Sequence, residues 1–139
     1  MSETAQTPQQ TQLARVALKA SRDVVAARQA VARELKARGV STIRVTRFAT
    51  AVSEIARNAI VHGGGGEISV CLDARKEYLL VECRDRGPGI ADIGQAMVDG
   101  YTTAGGLGRG LGGAKRLSHA FEILPRDGGG TIVRMSTRI

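Results

Sequence analysis

A chain of 139 residues with 42% hydrophobic side chains is long enough to bury about two-thirds of the surface its unfolded form exposes, so one domain is expected without disulfide or metal staples. Aromatic residues make up only 3%, with no Trp, which leaves the core to Val, Ile, Leu and Ala. The net charge of +7 invites a nucleic-acid partner, but the excess lies in residues 1–49, where nine Lys/Arg face three Asp/Glu and no aromatic residues interleave the cations for base stacking.

The first ten residues are polar and Gln-rich, without the apolar segment of a signal sequence, and read as part of a disordered tail over residues 1–12. Leu13 to Lys19 alternates weakly, as an edge strand would, with Val16 and Leu18 on one face. Ser21 is placed to cap a helix running to Arg38, stopped by Gly39 and carrying Arg22, Arg28, Arg33, Lys36 and Arg38 on its polar side. A solvated face or an acidic protein partner accounts for those charges. A second helix starts at Thr42 or Thr46 and stops at Gly63. Its Phe48, Val52, Ile55, Ala56 and Ala59 form the strongest helical periodicity in the chain.

The period then changes. Glu67 to Asp73 and Tyr78 to Arg84 predict an antiparallel hairpin around the polar turn Ala74 to Glu77. Asp92 to Val98 predicts a short helix, and Leu111 to His119 another, entered directly from a glycine-rich loop. Phe121 to Leu124, the turn Asp127 to Gly130 and a strand from Thr131 to Thr137 complete the chain. Helices and strands fall in blocks, which predicts an α/β (α+β) two-layer sandwich with a mixed, largely antiparallel sheet covered by helices on one face. Cys71 and Cys83 fall in separate strands and are expected to be reduced. No run reaches membrane-spanning length, and a cytoplasmic location is expected.

Three constellations carry chemistry. Glu54, Asn58 and His62 are four apart on the second helix, opposite its apolar face, so a carboxylate lies one turn before a carboxamide. That pair offers a proton acceptor beside a neutral Mg²⁺ ligand, where a triphosphate would supply the remaining oxygens. Asp85 ends a strand at Gly87-Pro88-Gly89, where a carboxylate could take an adenine amine and the glycines allow close backbone approach. Gly105 to Gly113 holds six glycines in nine residues before a helix, an arrangement suited to phosphate oxygens. A Walker loop is excluded because GxxxxGK[ST] does not occur, and the Rossmann fingerprint lacks its preceding strand.

The asparagine box, DxGxG, GxGxG and Gly130-Thr131, in that order, resemble the GHKL ATP-binding family of histidine kinases, gyrase-type ATPases and anti-sigma serine kinases. The resemblance runs from about residue 13 to the end as a single domain, and Ala51 to Asn58 with Asp99 to Gly108 are most similar to stressosome switch kinases. It implies Glu54 as general base, Asn58 on Mg²⁺, Asp85 on adenine with Gly87 and Gly89 shaping the pocket, and Thr131 supporting the adenine end. Gly106, Leu107, Gly108 and Gly110 would cover the phosphates, and Arg109 suits a phosphate contact by charge and position. The implied activity is Mg-ATP-dependent phosphorylation of a STAS-domain protein, an anti-anti-sigma factor or stressosome scaffold, with a downstream phosphatase or other effector and neither nucleic acid nor membrane as partner. The alternatives are a sigma-sequestering anti-sigma kinase and a non-catalytic nucleotide-responsive module. Residues Thr102 to Gly110 contain little that could hold them in place without ligand, and a nucleotide-ordered lid is expected there. No upstream dimerisation hairpin accompanies His62 or His119, which argues against a histidine autokinase.

Overall fold

The apolar residues predicted to share faces do converge on one core. The computed structural model describes residues 10–87, 107–126 and 128–139, with the backbone alone for 107–111. The predicted helix Asp92 to Val98 lies outside these residues. In chain order the elements are β1 (Thr11–Leu18), α1 (Ser21–Ala37), α2 (Thr42–Val61), β2 (Gly66–Leu72), β3 (Tyr78–Asp85), α3 (Leu107–Arg116), β4 (Ala120–Pro125) and β5 (Thr131–Arg138). The strands form a five-stranded sheet in the order β1-β2-β3-β5-β4. Every pairing among them is antiparallel, so the expected mixed character is absent from the described strands.

Strand alternation sorts the two faces of the sheet. Ile68, Cys83 and Val133 form one cross-strand row, and Val70, Val81 and Met135 the next. Both rows join Val31, Leu35, Phe48, Val52 and Ile55 from the helices in a single buried cluster. The opposite rows are charged. Glu82 sits between Arg84 and Arg134, each at 2.7 Å, and Arg134 also reaches Glu122 at 3.7 Å. Burial would push the Glu82 carboxyl up, but the hydrogen bonds from Arg134 and Arg84 win and hold it below its ordinary range. The helices therefore form one layer and the outer sheet face is left polar. Cys71 and Cys83 are both free thiols, as expected, on opposite faces of the sheet. Burial pushes the Cys83 thiol up to about 12.

Helix α2 begins where the sequence indicates, and Phe48, Val52, Ile55, Ala56 and Ala59 are all buried. Ser53, on its flank, donates to the Ala49 carbonyl at 2.9 Å and so brings no unsatisfied hydroxyl into the core. Helix α1 differs from expectation at its start. The N-cap is Ala20, with Ser21 the first helical residue, because the Asp23 carboxylate reaches back to the backbone N–H groups of Lys19 and Ala20 at 2.8 and 2.9 Å. Its end follows the sequence closely. Gly39 at φ 77° donates to Lys36, and Val40 donates to Leu35, closing a Schellman turn.

Two further boundaries move. Thr11 and Gln12, expected in the disordered tail, pair with Leu72 and Cys71 as the start of β1. Helix α3 runs from Leu107 to Arg116 in place of Leu111 to His119, so the second half of the expected glycine loop is helical. Four of its ten residues are Gly, a composition that by propensity alone disfavours a helix by roughly 1 kcal/mol per Gly relative to Ala. Packing overrides that penalty, since Gly112 and Ala114 are buried and small residues let α3 approach its neighbours closely.

Gly113 separates propensity from packing. A Cβ there would meet nothing within 4 Å, and the residue is not at positive φ. Gly113→Ala should stabilise the fold by about 0.5–1 kcal/mol. Gly130→Ala should destabilise it by more than that, because Gly130 has φ 103° and its Cβ would lie 2.1 Å from the Asp85 carbonyl oxygen. Urea unfolding of the two variants reads both signs, and a destabilised Gly113→Ala would place a steric contact there.

Candidate functional site

Three of the expected site residues, Asp85, Gly87 and Thr131, meet where the C-terminal end of α2 approaches the end of β3. His62 is the C-cap of α2, its N–H bonded to the Asn58 carbonyl at 2.9 Å. Gly63 follows and lies flat against Asp85: a Cβ on Gly63 would be 2.6 Å from the Asp85 Cβ and Cγ. Gly87 is as constrained, since its Cβ would sit 2.5 Å from the Gly63 Cα. The Arg86 N–H closes the junction by donating to the Gly63 carbonyl at 3.1 Å.

Asp85 is anchored from several directions. Its Oδ1 accepts the Gly87 N–H at 3.0 Å and the Thr131 N–H at 3.1 Å. Its backbone carbonyl accepts from Arg126 Nη1 at 2.9 Å. Among the described residues nothing donates to Oδ2, and the carboxylate is half-buried. Burial raises the Asp85 pKa above its ordinary 3.8; the Gly87 and Thr131 N–H groups and the Arg126 charge offset this only in part. A carboxylate fixed at a strand end, partly desolvated and with a spare lone pair, is suited to accept from an amine in a flat, apolar ligand.

Glu54 and Asn58 line the same helix upstream of this junction. Four residues advance an α-helix by about 6 Å, so Asn58 and Glu54 lie about 6 and 12 Å from His62 along the axis. Both are half-buried, at the edge of the exposed face. Arg57 Nη1 holds Glu54 Oε2 at 2.7 Å, an ion pair between two substantially exposed side chains. Such a pair contributes about 0.3–0.5 kcal/mol and is easily exchanged for another. Among the described residues no group of three His, Cys, Asp or Glu side chains could hold a metal ion. A cation beside Asn58 would therefore draw most of its oxygens from a ligand and water, as Mg²⁺ bound with a polyphosphate does.

Gly89 and Gly106 lie outside the described residues, as does the Thr102 to Gly106 part of the segment Thr102 to Gly110 expected to act as a lid. Leu107, Gly108, Arg109 and Gly110 form the first turn of α3, not a loop. This correction leaves the phosphate argument with a helix N-terminus, whose first N–H groups have no partner within the helix. Thr131 is buried and meets Asp85 through its backbone N–H. Two contributors went unread in the sequence. Arg126 clamps the Asp85 carbonyl from a distance of 41 residues in sequence, which no local pattern signals. Arg57 was legible, because Glu54 and Arg57 have the i,i+3 spacing at which helical side chains meet. A hollow of about 880 Å³ lies elsewhere, on the outer sheet face against Ser69, Cys71, Glu82 and Arg134, and includes none of the site residues.

The chain is an ATPase-type domain of the histidine kinase-like class. The sequence profile of the histidine kinase-like ATPase domain matches residues 17–137, and the chain belongs to that family. It is 42% identical over 114 residues, 81% of its length and 86% of the relative's, to the serine/threonine-protein kinase RsbT of Bacillus subtilis. It is 41% identical over 66 residues, 45% of its length, to the anti-sigma F factor of Clostridium acetobutylicum. The crystal structure of the RsbU and RsbW domains of Rv1364c from Mycobacterium tuberculosis superposes with a TM-score of 0.61 at 18% identity, covering 94% of this chain and 32% of that one, which supports the fold.

The raised pKa of Asp85 has a thermodynamic consequence. Between 3.8 and the higher folded-state value, the folded protein binds more protons than the unfolded chain, so this group's contribution to stability falls as pH rises through that window. Asp85→Asn keeps an oxygen for the Gly87 and Thr131 N–H groups and has no charge to desolvate. Its unfolding free energy relative to wild type should therefore increase across that window and stay higher at neutral pH. Chemical denaturation at a series of pH values measures this. A variant less stable than wild type at neutral pH would mean that the N–H groups and Arg126 outweigh burial.

Proposed function

We propose that this chain is a protein serine/threonine kinase of the partner-switching type, using Mg-ATP to phosphorylate a Ser or Thr of a STAS-domain protein in the cytoplasm. The observation that carries the reading is the Asp85 carboxylate, fixed through one oxygen by two backbone N–H groups and met at the other by no donor among the described residues, at the foot of the helix that bears Asn58 and Glu54. Along that helix the roles fall in order. Asp85 would accept from the exocyclic amine of adenine, with Gly63 and Gly87 keeping side chains out of the way. Asn58 would offer its carboxamide oxygen to Mg²⁺, which neutralises phosphate charge when bound. Glu54, farthest from the adenine end, would accept the proton of the substrate hydroxyl as its oxygen takes the γ-phosphoryl group and ADP departs. The first turn of α3, with Gly106 before it, would meet phosphate oxygens through backbone N–H groups, and Arg109 would add a positive charge there. Release from the phosphorylated partner would free the kinase for a downstream phosphatase or other effector.

A second reading, a kinase that also sequesters a sigma factor, is supported by the similarity to an anti-sigma F factor over part of the chain. A purely nucleotide-responsive module is the weaker alternative, since both Glu54 and Asn58 are present.

Incubating the chain with purified STAS-domain proteins and ATP labelled on the γ-phosphate, with Mg²⁺, should place label on a partner Ser or Thr; label on no partner would reject the kinase reading. Asp85→Asn should weaken ATP binding by about 1.5–3 kcal/mol, the range for a hydrogen bond to a charged group, read by calorimetry. Glu54→Gln should leave ATP affinity nearly intact and slow transfer about 10²-fold or more, whereas Asn58→Ala should raise the Mg²⁺ concentration needed for transfer. Wild-type transfer by Glu54→Gln would mean that positioning alone suffices.

A further inference from the structure

Three large apolar side chains are exposed among the described residues: Val25 at 38%, Ile43 at 61% and Val61 at 63%. A single exposed apolar side chain is ordinary. Two of these three, however, share one line on one helix. Ile43 and Val61 are 18 residues apart on α2, which is five complete turns, so they point the same way roughly 27 Å apart. Arg47, Thr50, Glu54 and Arg57 fall between them on the same side, and Arg47, Thr50 and Arg57 are exposed. The opposite side, Phe48, Val52, Ile55 and Ala59, is buried against the sheet.

The charge of this stripe is uneven. It holds two cations and one carboxylate, and the carboxylate is Glu54, already held by Arg57. A hydroxyl delivered to Glu54 must arrive over this face, past Arg57. A partner whose acceptor residue is accompanied by an acidic side chain would take the Arg57 guanidinium for itself, exchanging one exposed ion pair for another and releasing Glu54 toward the hydroxyl. Apolar contacts at Ile43 and Val61 would fix the partner's register. A span of this length suits the surface of a folded domain and exceeds what a small ligand covers.

We propose that the exposed stripe of α2 from Ile43 to Val61 is the docking face for the protein substrate, and that Arg57 selects a substrate with a carboxylate beside its acceptor hydroxyl. The proposal rests on the kinase reading for the role of Glu54, and its docking part is separable from it. Arg57 acts here as a positioning and specificity residue, through Glu54 and the partner's acid.

The test is calorimetric titration of the full chain, loaded with a non-hydrolysable ATP analogue and Mg²⁺, with a purified STAS-domain protein, while labelling of that protein by Mg-ATP is followed in parallel. Ile43→Glu and Val61→Gln are surface changes to good helix formers. Each should raise the partner Kd at least tenfold and leave affinity for the ATP analogue unchanged, with Val25→Gln on α1 matching wild type throughout. Arg57→Gln should raise KM for the protein substrate at least tenfold without lowering kcat. Removal of the partner's acidic residue should have the same effect and cause no further loss when combined with Arg57→Gln. Wild-type partner affinity in both Ile43→Glu and Val61→Gln, equal loss in Val25→Gln, or no binding of STAS-domain proteins by the wild-type chain would overturn the docking face. A fall in kcat at unchanged KM in Arg57→Gln would overturn its selective role. If the stripe variants lose binding while the wild type labels nothing, the docking face stands and the kinase reading fails.

Discussion

The contact on which the site depends is the side-chain-free junction between the end of α2 and the end of β3. Gly63, Gly87 and Gly130 approach Asp85 and its neighbours so closely that a Cβ on any of them would lie between 2.1 and 2.6 Å from a heavy atom. Such distances cannot be relieved by rotating a flexible side chain, because most of the atoms met are backbone. The junction therefore fixes where α2 ends relative to Asp85. From that point the rise of the helix alone sets how far Asn58 and Glu54 stand from the carboxylate. One backbone contact thus sets the relative places of three candidate site residues drawn from two elements.

Stability and site chemistry are separated in space. The inward rows of β2, β3 and β5 and the apolar faces of α1 and α2 form a continuous Val/Ile/Leu/Ala core that includes the fully buried Phe48. Asp85 sits at its edge, where burial works against its ionised form. Desolvation of that carboxylate costs folded-state stability and would strengthen a charged hydrogen bond to a ligand, a cost the core beneath it offsets. The outer sheet face follows the opposite rule. Its charges lie in cross-strand rows in which each carboxylate meets an arginine, and that arrangement leaves it polar and self-satisfied.

What could be read from sequence was whatever is decided within a few residues. The 3.6-residue period of Phe48 to Ala59 located α2, and the alternation on either side of Ala74 to Glu77 located the hairpin. Gly39 marked a true left-handed helix stop. The errors share a cause, which is that each was decided by a distant partner. Four glycines hid the helical start of α3, because burial of Gly112 and Ala114 against neighbouring elements is invisible locally. Thr11 and Gln12 are strand residues because Leu72 and Cys71 pair with them. Ser21 looked like a cap until the Asp23 carboxylate was seen to satisfy the two N–H groups before it. In the candidate site, the Asp85-x-Gly87 pattern singled out a carboxylate that the Gly87 N–H does meet, but Arg126 and the contact with Gly63 join segments far apart in the chain and left no local trace.

Helix α2 has to satisfy two constraints at once, and this couples site precision to packing. Its buried face is fixed by Val45, Phe48, Val52, Ile55, Ala56 and Ala59, all under 4% exposed. Each residue of a helix is rotated by about 100° from the last. The face that carries Glu54, Arg57 and the exposed apolar pair therefore has no orientation of its own to choose. A core substitution that let α2 roll by a fraction of that angle would swing Glu54 sideways while leaving the Gly63 contact nearly in place, since rotation moves a side chain at the rim far more than backbone near the axis. Cavity-forming changes at Val52 or Ile55 should thus disturb events at Glu54 more than those at Asp85, although both residues are buried and point away from the exposed face that carries Glu54. The close packing that makes interiors intolerant of lost methylenes is what holds the upstream half of the site in register with the junction.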